Sequence, residues 1–439
     1  MRNWLKGALL STSVIGSSWV GAVSYWRATN RMPSTLDVFV WLAALPLALL
    51  FAFWLGRRML AARAAQPTAP GADTPASAPA APPALPVLAI LAAAVRTPHG
   101  ASTQELAQAA SEGRARAGLD PELVDVEGFP LMSARAPLDD LAAVRAELDT
   151  WRIGAGFADP RFSKEQWRAL ALGTAVANEL LMQAAGAQLP ALRIHAALGP
   201  DWNPAQRDLA AAWLAALAMQ AGWPAQQVQA SSPALSAPAL LAQLADERTS
   251  ATIVLSFGSR IGDAGVQELA QQGVLFSAAN AQGLIPGEAA AGLLVAGAVP
   301  DGADATTLQL ASAPPGANDG GRKPEGATLL ALAGRLLPGA DDATGVSAVF
   351  ADTGHRSATL LELMKFTGAA VPHLDSGDDV TSLGNACGHA GPAAAAPWLA
   401  VIALAHQHAL DTAGAALCVG NEDPSQRTAA LVRPGAALT

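Results

Sequence analysis

Residues 382–405, SLGNACGHAGPAAAAPWLAVIALA, set Cys387 and His389 on either side of one glycine, in a Gly/Ala-rich turn that leads into an apolar helix. A thiolate beside an imidazole at a helix N-terminus is suited to accepting an acyl group, because the helix dipole favours the anion and the histidine can carry the proton. The chain has one other cysteine, Cys418, so neither a disulfide framework nor a zinc ribbon can be built, and two lone thiols fit a reducing compartment. Local zinc ligation by Cys387, His389, His406 and His408 is a second chemistry open to these residues; ordinary packing is the simpler account. A further candidate lies in GLIPGEAAAG (283–292), where Gly283 and Gly287 are available for positive φ and Glu288 enters a small-residue strand. A carboxylate there is either a catalytic acid or an acceptor for backbone N–H groups of the turn, and the second is expected.

The elements around these residues alternate. Short apolar runs, VLAILAAAV (87–95), LRIHAAL (192–198), TIVLSFG (252–258), AGLLVAGAV (291–299), VSAVFADT (346–353) and AALCVGN (415–421), read as strands. Helical stretches separate them at 163–186, 206–222, 238–247 and 327–337. Strands without a polar face imply a sheet covered by helices on both sides, hence an α/β fold.

The chain has 439 residues, a formal net charge of −9 and 51% hydrophobic residues, which excludes a disordered protein. The acidic balance, with no basic run longer than Arg57–Arg58, leaves no footprint for nucleic acid. Two uncharged apolar runs, Gly7 to Trp26 and Val38 to Gly56, each approach the roughly 20 residues needed to cross a bilayer. A transmembrane helical hairpin over 1–60 is expected, the first run being alternatively the apolar region of a signal peptide. Arg2 and Lys6 before the pair and Arg57, Arg58 and Arg63 after it outnumber Arg27 and Arg31 between the runs, so both ends should face the cytoplasm. Trp4, Trp19, Trp26, Trp41 and Trp54 lie mostly near the ends of the runs, as headgroup anchors or hairpin packing. An Ala/Pro-rich spacer covers 61–86. PPGANDGGRKPEG (314–326) reads as a connection between two folded halves, 87–325 and 326–439, and DSGDDVTS (375–382) as an acidic loop, either solvated or facing a basic partner.

Four segments resemble the β-ketoacyl synthases. PVLAILAAAVRTPHGAS (86–102) is similar to their opening strand and loop, GLIPGEAAAGLLVA (283–296) to a Gly-Glu-Gly-Ala strand entry, SLGNACGHAGPAAAAPWLAVIALA (382–405) to a Gly-His segment, and LCVGNEDPSQRTAALV (417–432) to the closing strand pair. The resemblance covers about 87–435 and implies a thiolase-like fold: two similar α/β halves in a layered α-β-α-β-α arrangement, commonly dimeric.

In that family a cysteine at a helix N-terminus is acylated, and histidines with a lysine handle decarboxylation and the enolate oxyanion. On the residues of this chain the nucleophile position falls at Ser231 or Ser232, the first histidine at Ala351 with His355 four residues beyond, and the lysine at Gly384; only His389 matches. A serine without an adjacent base is a poor acyl acceptor but a good helix cap. Cys387 then reads as a small buried hydrophobe, and the Gly388 turn as packing. The resemblance therefore implies a pseudoenzyme without catalytic residues, cofactor or metal. The overall arrangement is similar to the type VI lipase adapter family, which implies a phospholipase effector and a secretion spike protein as partners. Two other readings stand beside it: a divergent membrane-tethered β-ketoacyl synthase or acyltransferase using His389, and a structural scaffold of a membrane assembly.

Overall fold

A computed structural model describes residues 85–435, except 126, 139, 188, 248–250, 299–303, 318, 320–323 and 392–394. The expected membrane hairpin and nearly all of the spacer lie outside the described residues. Among the described residues no helix is long and apolar enough to cross a membrane.

Among the described residues there are twelve strands: β1 (Val87–Arg96), β2 (Gly118–Val124), β3 (Pro130–Ser133), β4 (Leu192–Ala196), β5 (Val228–Ser231), β6 (Thr252–Ser259), β7 (Glu288–Ala296), β8 (Thr306–Ala313), β9 (Val346–Ala351), β10 (Val380–Ser382), β11 (Ala415–Gly420) and β12 (Arg427–Pro434). β2 and β3 pair as a small hairpin, and the other ten form one sheet in the order β10-β9-β11-β12-β8-β1-β7-β6-β4-β5. Counted outward from the centre, the strands after β1 appear as β7, β6, β4, β5, and the strands after β8 as β12, β11, β9, β10. The two runs have the same order and the same directions: antiparallel for the inner pairs, parallel for the outer ones. They join where β1 and β8 pair antiparallel, Val87 opposite Gln309. On this pattern the second repeat opens at Thr306, so the connection 314–326 falls inside it, after its first strand.

Three helix layers cover the two repeats. The helices α1 (Lys164–Gly186) and α2 (Pro204–Gln220) lie on the outer face of the first repeat, sharing a core with Ile194, Ile253, Leu255 and Leu294. Helices α3 (Ala237–Glu247) and α6 (Ala395–Thr412) share a second core with strands of both repeats, including Val254, Leu293, Leu310, Cys418 and Val432. Helices α4 (Ala327–Leu336) and α5 (Ser357–Ala370) close the outer face of the second repeat against Val349, Ala351, Leu417 and Val419. Alternation at period two makes this possible: along β11, Ala416 and Cys418 enter the central core while Leu417 and Val419 enter the outer one. Helix α6 is buried along most of its length from Ala396 to Ala405, as expected of an apolar helix packed against strands of both repeats.

Candidate functional site

The loop carrying His389 is held by backbone contacts. The His389 N–H donates to the Ile285 carbonyl at 2.7 Å, and the Gly287 N–H donates to the His389 carbonyl at 3.2 Å. A Cβ on Gly287 would stand 2.1 Å from the Cys387 carbonyl oxygen, so only glycine lets the two loops meet. Neither Gly283 nor Gly287 has a positive φ. Close approach, rather than the turn conformation expected from sequence, requires glycine at 287.

Beside this loop is a cavity of about 180 Å³ lined by Asp352, His355, Arg356, Asn385, His389 and Glu422. The His389 imidazole is driven down to about 4 by burial, reinforced by Arg260 and Arg356, so it is neutral near pH 7. Asp352 behaves in the opposite way. Burial, reinforced by Glu422, pushes its carboxyl up to about 7 despite bonds from the Asn421 and Glu422 N–H groups at 2.8 and 3.2 Å. Glu422 is itself held by Arg356 at 2.5 Å and by the Gly354 N–H at 2.7 Å. The His355 Nδ1 lies 3.1 Å from the Asn385 amide oxygen, and its Nε2 is buried with no hydrogen-bond partner among the described residues.

The residues at the expected family positions lie as follows. Ala351 is the last residue of β9 and packs into the outer core of the second repeat, facing away from the site. The next residue, Asp352, is the one that lines the cavity. His355 also lines it: the segment after β9 is not helical, so the four-residue offset does not carry the imidazole away. At Gly384 the expected lysine has no room, because a Cβ would lie 2.4 Å from the Gly354 nitrogen and 2.5 Å from the Asp352 carbonyl oxygen.

The serine assignment shifts as well. Ser231 ends β5 and its hydroxyl lies 2.8 Å from the His195 Nδ1, while Ser232 donates to the Ala196 carbonyl at 2.9 Å. Helix α3 begins only at Ala237, and Ser236 caps it by accepting the Ala239 N–H at 3.4 Å. Ser236 and Asp352 line one small recess, so the residue at the helix N-terminus next to the site is Ser236.

The remaining candidates take structural places. Cys387 is fully buried with Ala289 and Ala396, and burial pushes its thiol up to about 12; burial also raises the thiol of Cys418. The His406 Nδ1 lies 2.8 Å from the Thr306 hydroxyl, and the His408 Nε2 2.8 Å from the Ser347 hydroxyl. Glu288 is fully buried, accepts the Ala136 N–H at 2.9 Å and the Ser259 hydroxyl at 2.8 Å, and pairs with Arg168 at 2.5 Å. It anchors the entry to β7.

The chain has an α/β fold with two topologically equivalent repeats and a polar cavity at the His389 loop. No protein-family model matches the chain, and no curated protein matches it. Solved structures do. The ishigamide ketosynthase/chain length factor is 18% identical and matches over 79% of this chain and 99% of that one, with a TM-score of 0.55. A type II polyketide ketosynthase in complex with its acyl-carrier protein is 12% identical over 80% of this chain and 100% of that one, TM-score 0.57. The ketosynthase of Xenorhabdus doucetiae in complex with its chain length factor is 12% identical over 80% and 98%, TM-score 0.53. The chain shares the ketosynthase fold.

Proposed function

We propose that this is a ketosynthase-fold protein without condensing activity, which works by binding protein partners at a membrane. One observation carries the reading: the helix N-terminus beside the site holds Ser236 as a cap, and the thiol of Cys387 is buried and pushed up to about 12. A condensing enzyme needs a nucleophile that is charged or activated when the acyl group arrives. Gly384 has no room for a lysine, and the cavity beside it presents the carboxyl of Asp352 instead of a fixed cation. Two of the structurally similar ketosynthases are complexes with an acyl-carrier protein or a chain length factor, which supports a partner-binding role. The narrower version names the partners as a phospholipase effector and a type VI secretion spike protein. In it the apolar runs at 7–26 and 38–56 hold the folded part at the cytoplasmic face of a bacterial inner membrane.

The test has two arms. Full-length protein incubated with acyl thioesters should show no acyl adduct by intact mass; an adduct mapped to Ser236 would favour the alternative, a divergent acyltransferase working with His389 and Asp352. Co-purification from the native host should recover the effector and the spike protein. Recovery of membrane-assembly components without either of them would favour the scaffold reading.

A further inference from the structure

Beside the His389 loop one buried carboxyl oxygen is left unused. Asp352, just after β9, is 4% exposed and lines both the cavity of about 180 Å³ and the small recess at Ser236. Its Oδ1 takes both backbone bonds, from the Asn421 and Glu422 N–H groups. Oδ2 has no partner among the described residues, and it is not one of the unpaired polar atoms sealed from solvent. The His389 ring is in the same condition: neither nitrogen has a partner among the described residues and neither is sealed. Since the imidazole is neutral near pH 7, one of its nitrogens offers a lone pair to the cavity.

The charges around the cavity leave an excess of anion. Arg356 is paired with Glu422, and Arg260, which also bears on His389, with Glu268. Asp423 lines the same cavity, and its Oδ1 accepts the Ser425 N–H and hydroxyl. For Asp352 and Asp423 no ion pair is found among the described residues. A carboxylate withdrawn from water without a counter-charge is costly, which is why the Asp352 carboxyl rises to about 7. A cation entering the cavity would supply the counter-charge without breaking any bond the protein makes. No group of three or more His, Cys, Asp or Glu side chains able to hold a metal ion is found among the described residues, which favours an organic cation.

We propose that this cavity binds a small primary amine, its ammonium group donating to Asp352 Oδ2 and to the free nitrogen of His389, its short hydrocarbon body against Leu284, Ile285 and Pro397. An ammonium has three donors and no acceptor, which suits an unused carboxylate oxygen together with an imidazole lone pair. A cavity of about 150 Å³ holds a benzene-sized molecule, so this one has room for an amine of roughly five or six heavy atoms. The inference does not rest on the partner-binding reading: amine binding is measured without an acyl donor and acylation by mass, so either can fail alone.

Calorimetric titration of the full-length protein with butylammonium, butan-1-ol and butanoate at pH 8, where Asp352 is mostly ionised, tests it. Butylammonium should bind about ten- to a hundredfold more tightly than butan-1-ol, the gain expected of a charge-assisted bond, and butanoate should not bind. Asp352→Asn keeps an acceptor for the backbone bonds, removes the charge and should erase the preference for the amine. His389→Leu should weaken butylammonium about three- to tenfold by removing the second acceptor, and it decides the matter if Asp352→Asn fails to fold, with circular dichroism checking both. Equal affinity for amine and alcohol, no binding of butylammonium, binding of butanoate in its place, an unchanged preference in Asp352→Asn, or unchanged butylammonium affinity in His389→Leu would each overturn the proposal.

Discussion

Asp352 offers the sharpest test of how the site is built. Its carboxyl sits at about 7 in the folded protein against an ordinary 3.8, because burial and the nearby Glu422 both oppose the charge. Between those values the folded state binds more proton than the unfolded chain, so stability falls as pH rises, the reverse of a carboxylate held by a cation. A one-unit gap between folded and unfolded pKa corresponds to about 1.4 kcal/mol, so the full window is worth roughly 4 kcal/mol. Between about pH 5.5 and about pH 8, where the protein can be handled, the loss is about 2 kcal/mol. Asp352→Asn keeps an oxygen to accept the Asn421 and Glu422 N–H bonds and cannot ionise. Urea unfolding of both proteins at the two pH values isolates the residue, since every other titrating group appears in both. With Asn standing in for the neutral acid, the variant should exceed the wild type by about 2 kcal/mol near pH 5.5 and by about 4 kcal/mol near pH 8, so that the gap widens by about 2 kcal/mol. A difference between the two proteins that does not change with pH would refute the raised carboxyl and the dry environment inferred for it.

Other consequences can be measured directly. Native protein treated with iodoacetamide should leave Cys387 and Cys418 unmodified until denaturant is added, as both are fully buried; stoichiometric labelling of Cys387 in the folded state would reopen the thiol as a nucleophile. Glu288→Ala should cost about 3–5 kcal/mol in urea unfolding by stranding Arg168, and the double change to methionines should recover much of it. A loss below about 1 kcal/mol would show that the pair is better hydrated than described. Gly287→Ala should cost about 3 kcal/mol or more, because the Cβ meets the Cys387 carbonyl, whereas Gly154→Ala, with open space around it, should stay within about 1 kcal/mol of wild type; similar costs for the two would remove the close loop contact from the argument.

Much of the fold could be read from the sequence because the central strands are apolar throughout. The runs at 252–258 and 415–421 become β6 and β11, and the resemblance of 417–432 to a closing strand pair corresponds to β11 against β12. The missed strands are of another kind. β5 is a four-residue edge strand with exposed positions, and β8, TTLQLASA, alternates buried and part-buried residues and presents no apolar run. Within the site, successive strand residues face opposite ways, so Ala351 ends β9 turned into the outer core while its neighbour Asp352 lines the cavity. The segment between Ser232 and helix α3 is irregular and contains Pro233, so the residue that caps the helix is Ser236.

The His389 loop shows why fold landmarks and chemistry must be weighed separately. Gly287 and Glu288 belong to the first repeat and Gly384 to His389 to the second, and backbone bonds and steric limits bind the two loops together. Any side chain at Gly287 would separate them, and one at Gly384 would push its turn off the 352–354 segment, whatever the reaction performed nearby. The retained Gly-His turn is therefore accounted for by packing between repeats and says little about catalysis. Asp352 touches the cavity without bonding either of these loops and is free of that constraint. It follows that substitutions at the glycines should act on stability, whereas the chemistry open to the cavity rests on side chains such as Asp352 and Ser236.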